Sequence, residues 1–110
     1  IYTTIDYIEK IVCDKLGVPL DELFNFKSRG EITIARKFCI LLIIHNVDGI
    51  SNDDVANHYN RTRQVVHNTE KEFNAIKKDK NIQFHNDFMK IYNELDVDTK
   101  NFVKKLKNNK

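Results

Sequence analysis

Apolar residues along this chain recur at three- and four-residue intervals, broken by short polar punctuation, and that periodicity predicts an all-α fold. The first helix is expected from about Thr4 to Leu16, with Ile5, Ile8, Val12 and Leu16 on one face and Gly17 as its stop. Pro19 then suits the first turn of a short second helix, Leu20 to about Phe24, whose early acids Asp21 and Glu22 complement the helix dipole. The stretch Asn25-Phe26-Lys27-Ser28-Arg29-Gly30 interrupts the apolar pattern and reads as an exposed basic loop. A third helix, about Ile32 to Asn46, is apolar nearly all round at its middle and is expected to be the buried centre of a bundle. Asp48-Gly49 closes it with turn chemistry.

Ser51-Asn52-Asp53-Asp54 has the Ser-x-x-acid form of a capping box, so a short helix should begin there and run to about Tyr59. Asn60 to Thr62 is a polar break with Thr62 available as the next cap, and a longer helix then reaches about Lys78. At about 100° per residue, Val66, Thr69, Phe73 and Ile76 of this helix share a face that would pack inward, while Gln64, His67, Asn68, Lys71 and Lys78 collect opposite. Two further helices are expected, Ile82 to Leu95 with Phe84, Phe88, Ile91 and Tyr92, and Thr99 to Lys107 with Phe102, Val103 and Leu106.

Two consecutive helices separated by about three polar residues match the spacing of a helix-turn-helix, whose second helix lies in the DNA major groove. Charge agrees with that placement. Residues 1–59 hold six Lys/Arg against nine Asp/Glu, whereas residues 60–80 hold six against three. Positive charge is therefore concentrated on the helix that would approach DNA. Asn and Gln side chains can pair bidentately with adenine, and Arg63 near the helix start could reach guanine. The last eleven residues add five lysines and no acid, a solvated end able to touch phosphate.

The landmarks Leu16-Gly17-Val18-Pro19-Leu20-Asp21-Glu22-Leu23, the basic loop with Lys27 and Arg29, Ala35-Arg36-Lys37 and Ser51-Asn52-Asp53-Asp54-Val55-Ala56-Asn57-His58-Tyr59 occur in this order over residues 8–76. By them the chain resembles the C-terminal DNA-binding domain of the bacterial replication initiator DnaA, a Trp-repressor-like helix-turn-helix. The resemblance implies that Lys27 and Arg29 approach the minor groove and that Arg36 and Lys37 sit near phosphates. It places Arg61, Thr62, Arg63, Gln64 and the residues to Val66 at major-groove base edges, with His67, Asn68 and Lys71 following on the same helix. The family signature Gly-Gly-Arg-Asp-His-Thr-Thr-Val is replaced here by Asn60-Arg61-Thr62-Arg63-Gln64-Val65-Val66, one residue shorter and lacking the Asp-His pair, so base readout should differ.

The remaining composition narrows the function classes. With 110 residues, 41% hydrophobic and 31% charged, the chain fits one soluble domain. It is expected to comprise a helix-turn-helix unit over 1–80 and a C-terminal helical extension over 81–110. The longest apolar run, Phe38 to Ile44, is far short of the roughly 18 residues of a membrane span, and no charged-then-apolar leader opens the chain. It begins at Ile1 without a start methionine, as a segment trimmed or excised from something longer would. Cys13 and Cys39 fall in apolar helical patterns and are expected to be reduced core residues, which suggests a cytoplasmic setting.

His45, His58, His67 and His85 form no metal-ligand spacing, and there is no Cys-x-x-Cys pair. Asp53-Asp54 and Asp96-Val97-Asp98 are expected to begin helices rather than hold a cation. There is no phosphate-binding Gly-x-x-x-x-Gly-Lys loop and no nucleophile motif, so neither an ATP-driven initiator nor an enzyme is expected, and no cofactor. The expected partner is double-stranded DNA, in a replication accessory or transcription regulator. The rival expectation is an interaction or homodimerisation module that has lost DNA binding and offers Phe84, Phe88 and Tyr92 to a protein partner.

Overall fold

The helix over Tyr2–Leu16 (α1) buries Ile5, Ile8 and Val12, the stripe that its spacing marks as apolar. It ends at Gly17, whose φ of 68° lets the Val18 N–H turn back to the Cys13 carbonyl at 3.0 Å, a left-handed C-terminal cap. These features come from a computed structural model that describes residues 2–25, 30–78 and 83–108, with side chains described over 4–25, 30–78 and 88–108. Among the described residues there are five α-helices, one short 3-10 helix and no strand.

The 3-10 helix occupies Leu20–Phe24, where the sequence pattern predicts a second helix without distinguishing its type. Glu22 N–H bonds the Pro19 carbonyl and Asn25 N–H bonds the Glu22 carbonyl, both at 3.1 Å, the three-residue closure of a tight turn. Five residues between Pro19 and an extended Asn25 are too few for a stable α-helix, and the turn survives because Leu23 is fully buried.

The central helix, α2 (Glu31–Asn46), is buried at every position from Phe38 to Ile43 and packs against every other element. An all-round apolar middle has this consequence, since no face of it can be left to water. The expectation of a bundle centred on this segment is met. α3 (Asn52–His58) starts at the capping box: Asp54 N–H donates to Ser51 Oγ and Ser51 N–H donates to Asp54 Oδ2, each at 3.1 Å. The Ser51 backbone N–H, with the Ser51 hydroxyl beside it, holds the Asp54 carboxyl below the usual carboxylate range. α4 (Arg63–Lys78) buries Val66, Thr69 and Phe73, with Ile76 packed at the edge of the core.

Where two C-terminal helices are expected, the structure has one, α5, continuous over Gln83–Asn108. Phe88, Tyr92, Leu95 and Thr99 form an unbroken buried stripe at helical spacing that runs straight past the expected junction, whose Val97 and Asp98 face solvent on the opposite side. Asp96 and Asp98 stand in the middle of α5 and begin nothing; Asp96 instead pairs with Lys100 one turn later and accepts from Asn46 Nδ2 of α2 at 3.1 Å. Phe88 stacks on Phe38 with ring centres 4.7 Å apart, and Tyr92 lies 4.7 Å from Phe73. Phe88 and Tyr92 are thus core residues and not a surface for a partner, while the Phe84 side chain lies outside the described residues.

Both cysteines are buried free thiols, as expected. Burial, with Glu9 and Asp14 nearby, pushes the Cys13 thiol up to about 11, and burial pushes Cys39 up as well. Neither is a reactive thiolate at neutral pH. No helix among the described residues is long and apolar enough to cross a membrane.

Candidate nucleic-acid interface

The turn between α3 and α4 is fixed by backbone geometry at a single residue. Asn60 has φ 53° and is the one non-glycine in the left-handed region among the described residues. Its N–H bonds the Asn57 carbonyl at 3.1 Å, and the next N–H, that of Arg61, bonds the Ala56 carbonyl at 2.8 Å. These are the paired bonds of a Schellman cap, and asparagine is the residue after glycine best able to provide the required conformation. The chain is thereby turned sharply, and α4 starts three residues after Asn60.

α4 is positioned from both sides. Val66 and Phe73 anchor it to the core, and Thr69 returns its hydroxyl to the Val65 carbonyl at 2.9 Å, which disposes of that hydroxyl inside the packed face. Its two acids are engaged on the flanks: Glu72 accepts from Lys37 of α2 at 3.0 Å, and Glu70 accepts from Asn52 of α3 at 3.2 Å. The stripe opposite the core carries Gln64, His67, Asn68, Lys71 and Lys78, all exposed. At 100° per residue no carboxylate falls within about 60° of its centre. Gln64 Nε2 donates to Asn68 Oδ1 at 2.9 Å, so the two amides form a single polar plate one helical turn long. Thr62 and Arg63 are exposed at its N-terminal end, with Arg63 only 3.8 Å from Asp53 in a pair open to solvent on both sides.

Other predicted site residues are occupied within the fold. Arg36 is 6% exposed, and its guanidinium donates to the Leu23 carbonyl (2.7 Å) and the Asn25 carbonyl (3.0 Å). It closes the end of the 3-10 turn onto α2 and cannot sit at a phosphate without breaking that closure. Burial, followed by the neighbouring Arg61, lowers its pKa. Arg61 is half-buried and donates from Nη2 to the same Asn25 carbonyl at 3.0 Å. Its guanidinium thus ties the α3–α4 turn to the chain leading into the basic loop. Lys37 is half-exposed and matched by Glu72. Lys27 and Arg29 lie outside the described residues.

One polar cluster has almost no signature in the sequence. Glu9 of α1 is 3% exposed, and its Oε2 accepts from the Tyr59 hydroxyl at 2.7 Å and lies 3.2 Å from His58 Nε2. The His58 ring stands edge-on to Phe24 and to Tyr59. Burial raises the Tyr59 hydroxyl well above its ordinary range, so it remains a hydrogen-bond donor. This node joins α1 to the end of α3 and the 3-10 turn. Its one signal in the sequence is an acid four residues after Ile5 and three before Val12, on the apolar stripe of α1.

No protein-family model matches the chain, and no curated protein or solved structure matches it either.

Proposed function

We propose that this chain is a double-stranded DNA-binding domain in which α3 and α4 act as a Trp-repressor-like helix-turn-helix, with α4 in the major groove. The supporting observation is the outer stripe of α4: amides, an imidazole and two ammonium groups are collected on a face whose neighbouring acids are consumed by Lys37 and Asn52. Asn68 and Gln64 supply the donor and acceptor pairs that adenine edges require, and Lys71 and Lys78 supply phosphate attraction. Arg63, Thr62 and the Arg61 backbone present the turn at the groove edge. Arg36 and Lys37 act as structural supports in this reading, holding the elements that carry the turn. The absence of the Asp-His pair from the 60–66 segment gives a base preference distinct from that of the DnaA domains the sequence resembles, in keeping with an accessory or regulatory DNA-binding role.

The test is fluorescence anisotropy against a pool of mixed duplexes at about 50 mM salt, where electrostatic binding is strong. Gln64→Ala with Asn68→Ala should flatten the preference among sequences by about tenfold or more, at about 1–3 kcal/mol per bidentate pair. Lys71→Ala with Lys78→Ala should weaken all duplexes alike. Absence of any binding, or identical behaviour of the two double variants, would overturn the proposal.

A further inference from the structure

α5 is longer than the helix it packs against. Its Asp96 is level with Asn46, the last residue of α2, so about twelve further residues carry α5 roughly 18 Å past that end. The overhang bears Lys100, Lys104, Lys105 and Lys107, with no acid after Asp98. Lys100, Lys104 and Lys107 recur at four- and three-residue spacing and line one side of an open groove of about 380 Å³. His45 and Asp48, from the end of α2 and the turn beyond it, line the other side. Lys100 is paired with Asp96, whereas the other two are weakly held: Lys107 lies 3.7 Å from Asp48 with both groups well exposed, and Lys104 has no acid partner among the described residues. Such pairs exchange readily for a stronger anion.

His45 sets a hydrogen-bonded polar ring into the wall of the groove. Its Nδ1 is 2.6 Å from the Tyr92 hydroxyl. Burial keeps that hydroxyl protonated and, acting on His45 too, favours the neutral imidazole. His45 Nδ1 and the Tyr92 hydroxyl thus share a hydrogen bond that holds the ring at the edge of the groove. Glu70 and Lys77 of α4 and Asp96 and Lys100 of α5 all act electrostatically on this ring, whose centre lies 5.8 Å from that of Phe73, so the groove adjoins α4. Three ammonium groups spread over about 10 Å of helix suit a run of phosphodiesters better than one compact phosphate.

We propose that this groove is a second backbone anchor, taking phosphodiesters of the same duplex beside the segment read by α4; it rests on the DNA-binding reading above. The experiment measures the slope of log affinity against log salt for the wild type and for Lys104→Ala with Lys107→Ala, on a short duplex and on a longer one extending past the α4 footprint. On the longer duplex the slope should fall by about 1.8, or about 0.9 for each phosphate no longer neutralised, with affinity down about tenfold or more. Preference among sequences and binding to the short duplex should not change. An unchanged slope with the wild type still binding overturns the anchor alone. Loss only of inorganic phosphate binding, followed by NMR shifts, makes the groove a free-anion site and also overturns it. A wild type that binds no duplex overturns the anchor together with the reading of α4.

Discussion

Replacing Tyr59 by phenylalanine isolates the hydrogen bond that joins α3 to α1. The substitution removes one oxygen and leaves the ring in place, so no cavity forms. Glu9 Oε2 loses its 2.7 Å donor and keeps only His58 at 3.2 Å. Hydrogen bonds to carboxylate-type acceptors contribute about 1.5–3 kcal/mol, and a buried acceptor left short of donors sets the cost near about 2 kcal/mol. With an unfolding entropy of about 2.1 cal/mol/K per residue, 110 residues convert this to a Tm about 9 °C lower. Urea unfolding of Tyr59→Phe, Glu9→Met and the double variant supplies the check. Glu9→Met alone leaves the Tyr59 hydroxyl with only the weakly bonding Cys39 thiol, so the double variant should be less destabilised than the sum of the singles by about 1–2 kcal/mol. Costs that add to within about 0.5 kcal/mol would refute the coupling, and with it the node as the link between α1 and α3.

Two further outcomes are expected. Asn60→Ala should destabilise by about 1 kcal/mol, because an alanine side chain resists the left-handed conformation, while Asn60→Gly should stay within about 0.5 kcal/mol of the wild type. Equal losses in both, read by urea unfolding, would place the effect in the amide and not in the backbone. Burial depresses the His45 pKa from its ordinary 6.5, so the unfolded chain binds the extra proton first; the contribution of His45 to stability is intact above that value and is lost as pH falls below it. Relative to His45→Gln, the wild type should therefore lose stability as pH falls through about 6.5 and below, and parallel pH profiles of the two proteins would show that His45 is not responsible.

Periodicity conveyed α4 well because every residue that orients it lies within a few turns: Val66, Thr69, Phe73 and Ile76 mark the inward face whatever they pack against. It failed at the middle of α5 for an equally physical reason. Asp96-Val97-Asp98 looks like the first turn of a helix, where acids are favoured by the dipole. Leu95 and Thr99 on either side keep the buried stripe in register, and Asp96 is satisfied by Asn46, fifty residues earlier in the chain. That partner is set by tertiary packing and has no local signature. The 3-10 turn is a similar case, since five residues with a single buried leucine carry no information on which helix type closes them.

The candidate site divides along the same line. Gln64, His67, Asn68 and Lys71 need only the helical period to be placed on one exposed face, and they are. Arg36, Lys37 and Arg61 are cations whose charge looks available in the sequence, but their partners are Leu23, Asn25 and Glu72, eleven to thirty-six residues away. A cation already matched inside the fold adds little to the attraction of a polyanion, because its approach to phosphate must first break an internal bond. With α2 so engaged, the positive charge left among the described residues is concentrated on the outer stripe of α4 and on the overhang of α5. Sequence-independent affinity should consequently depend more on Lys104 and Lys107 than on Lys37, the reverse of the weighting that the order of landmarks along the chain implies.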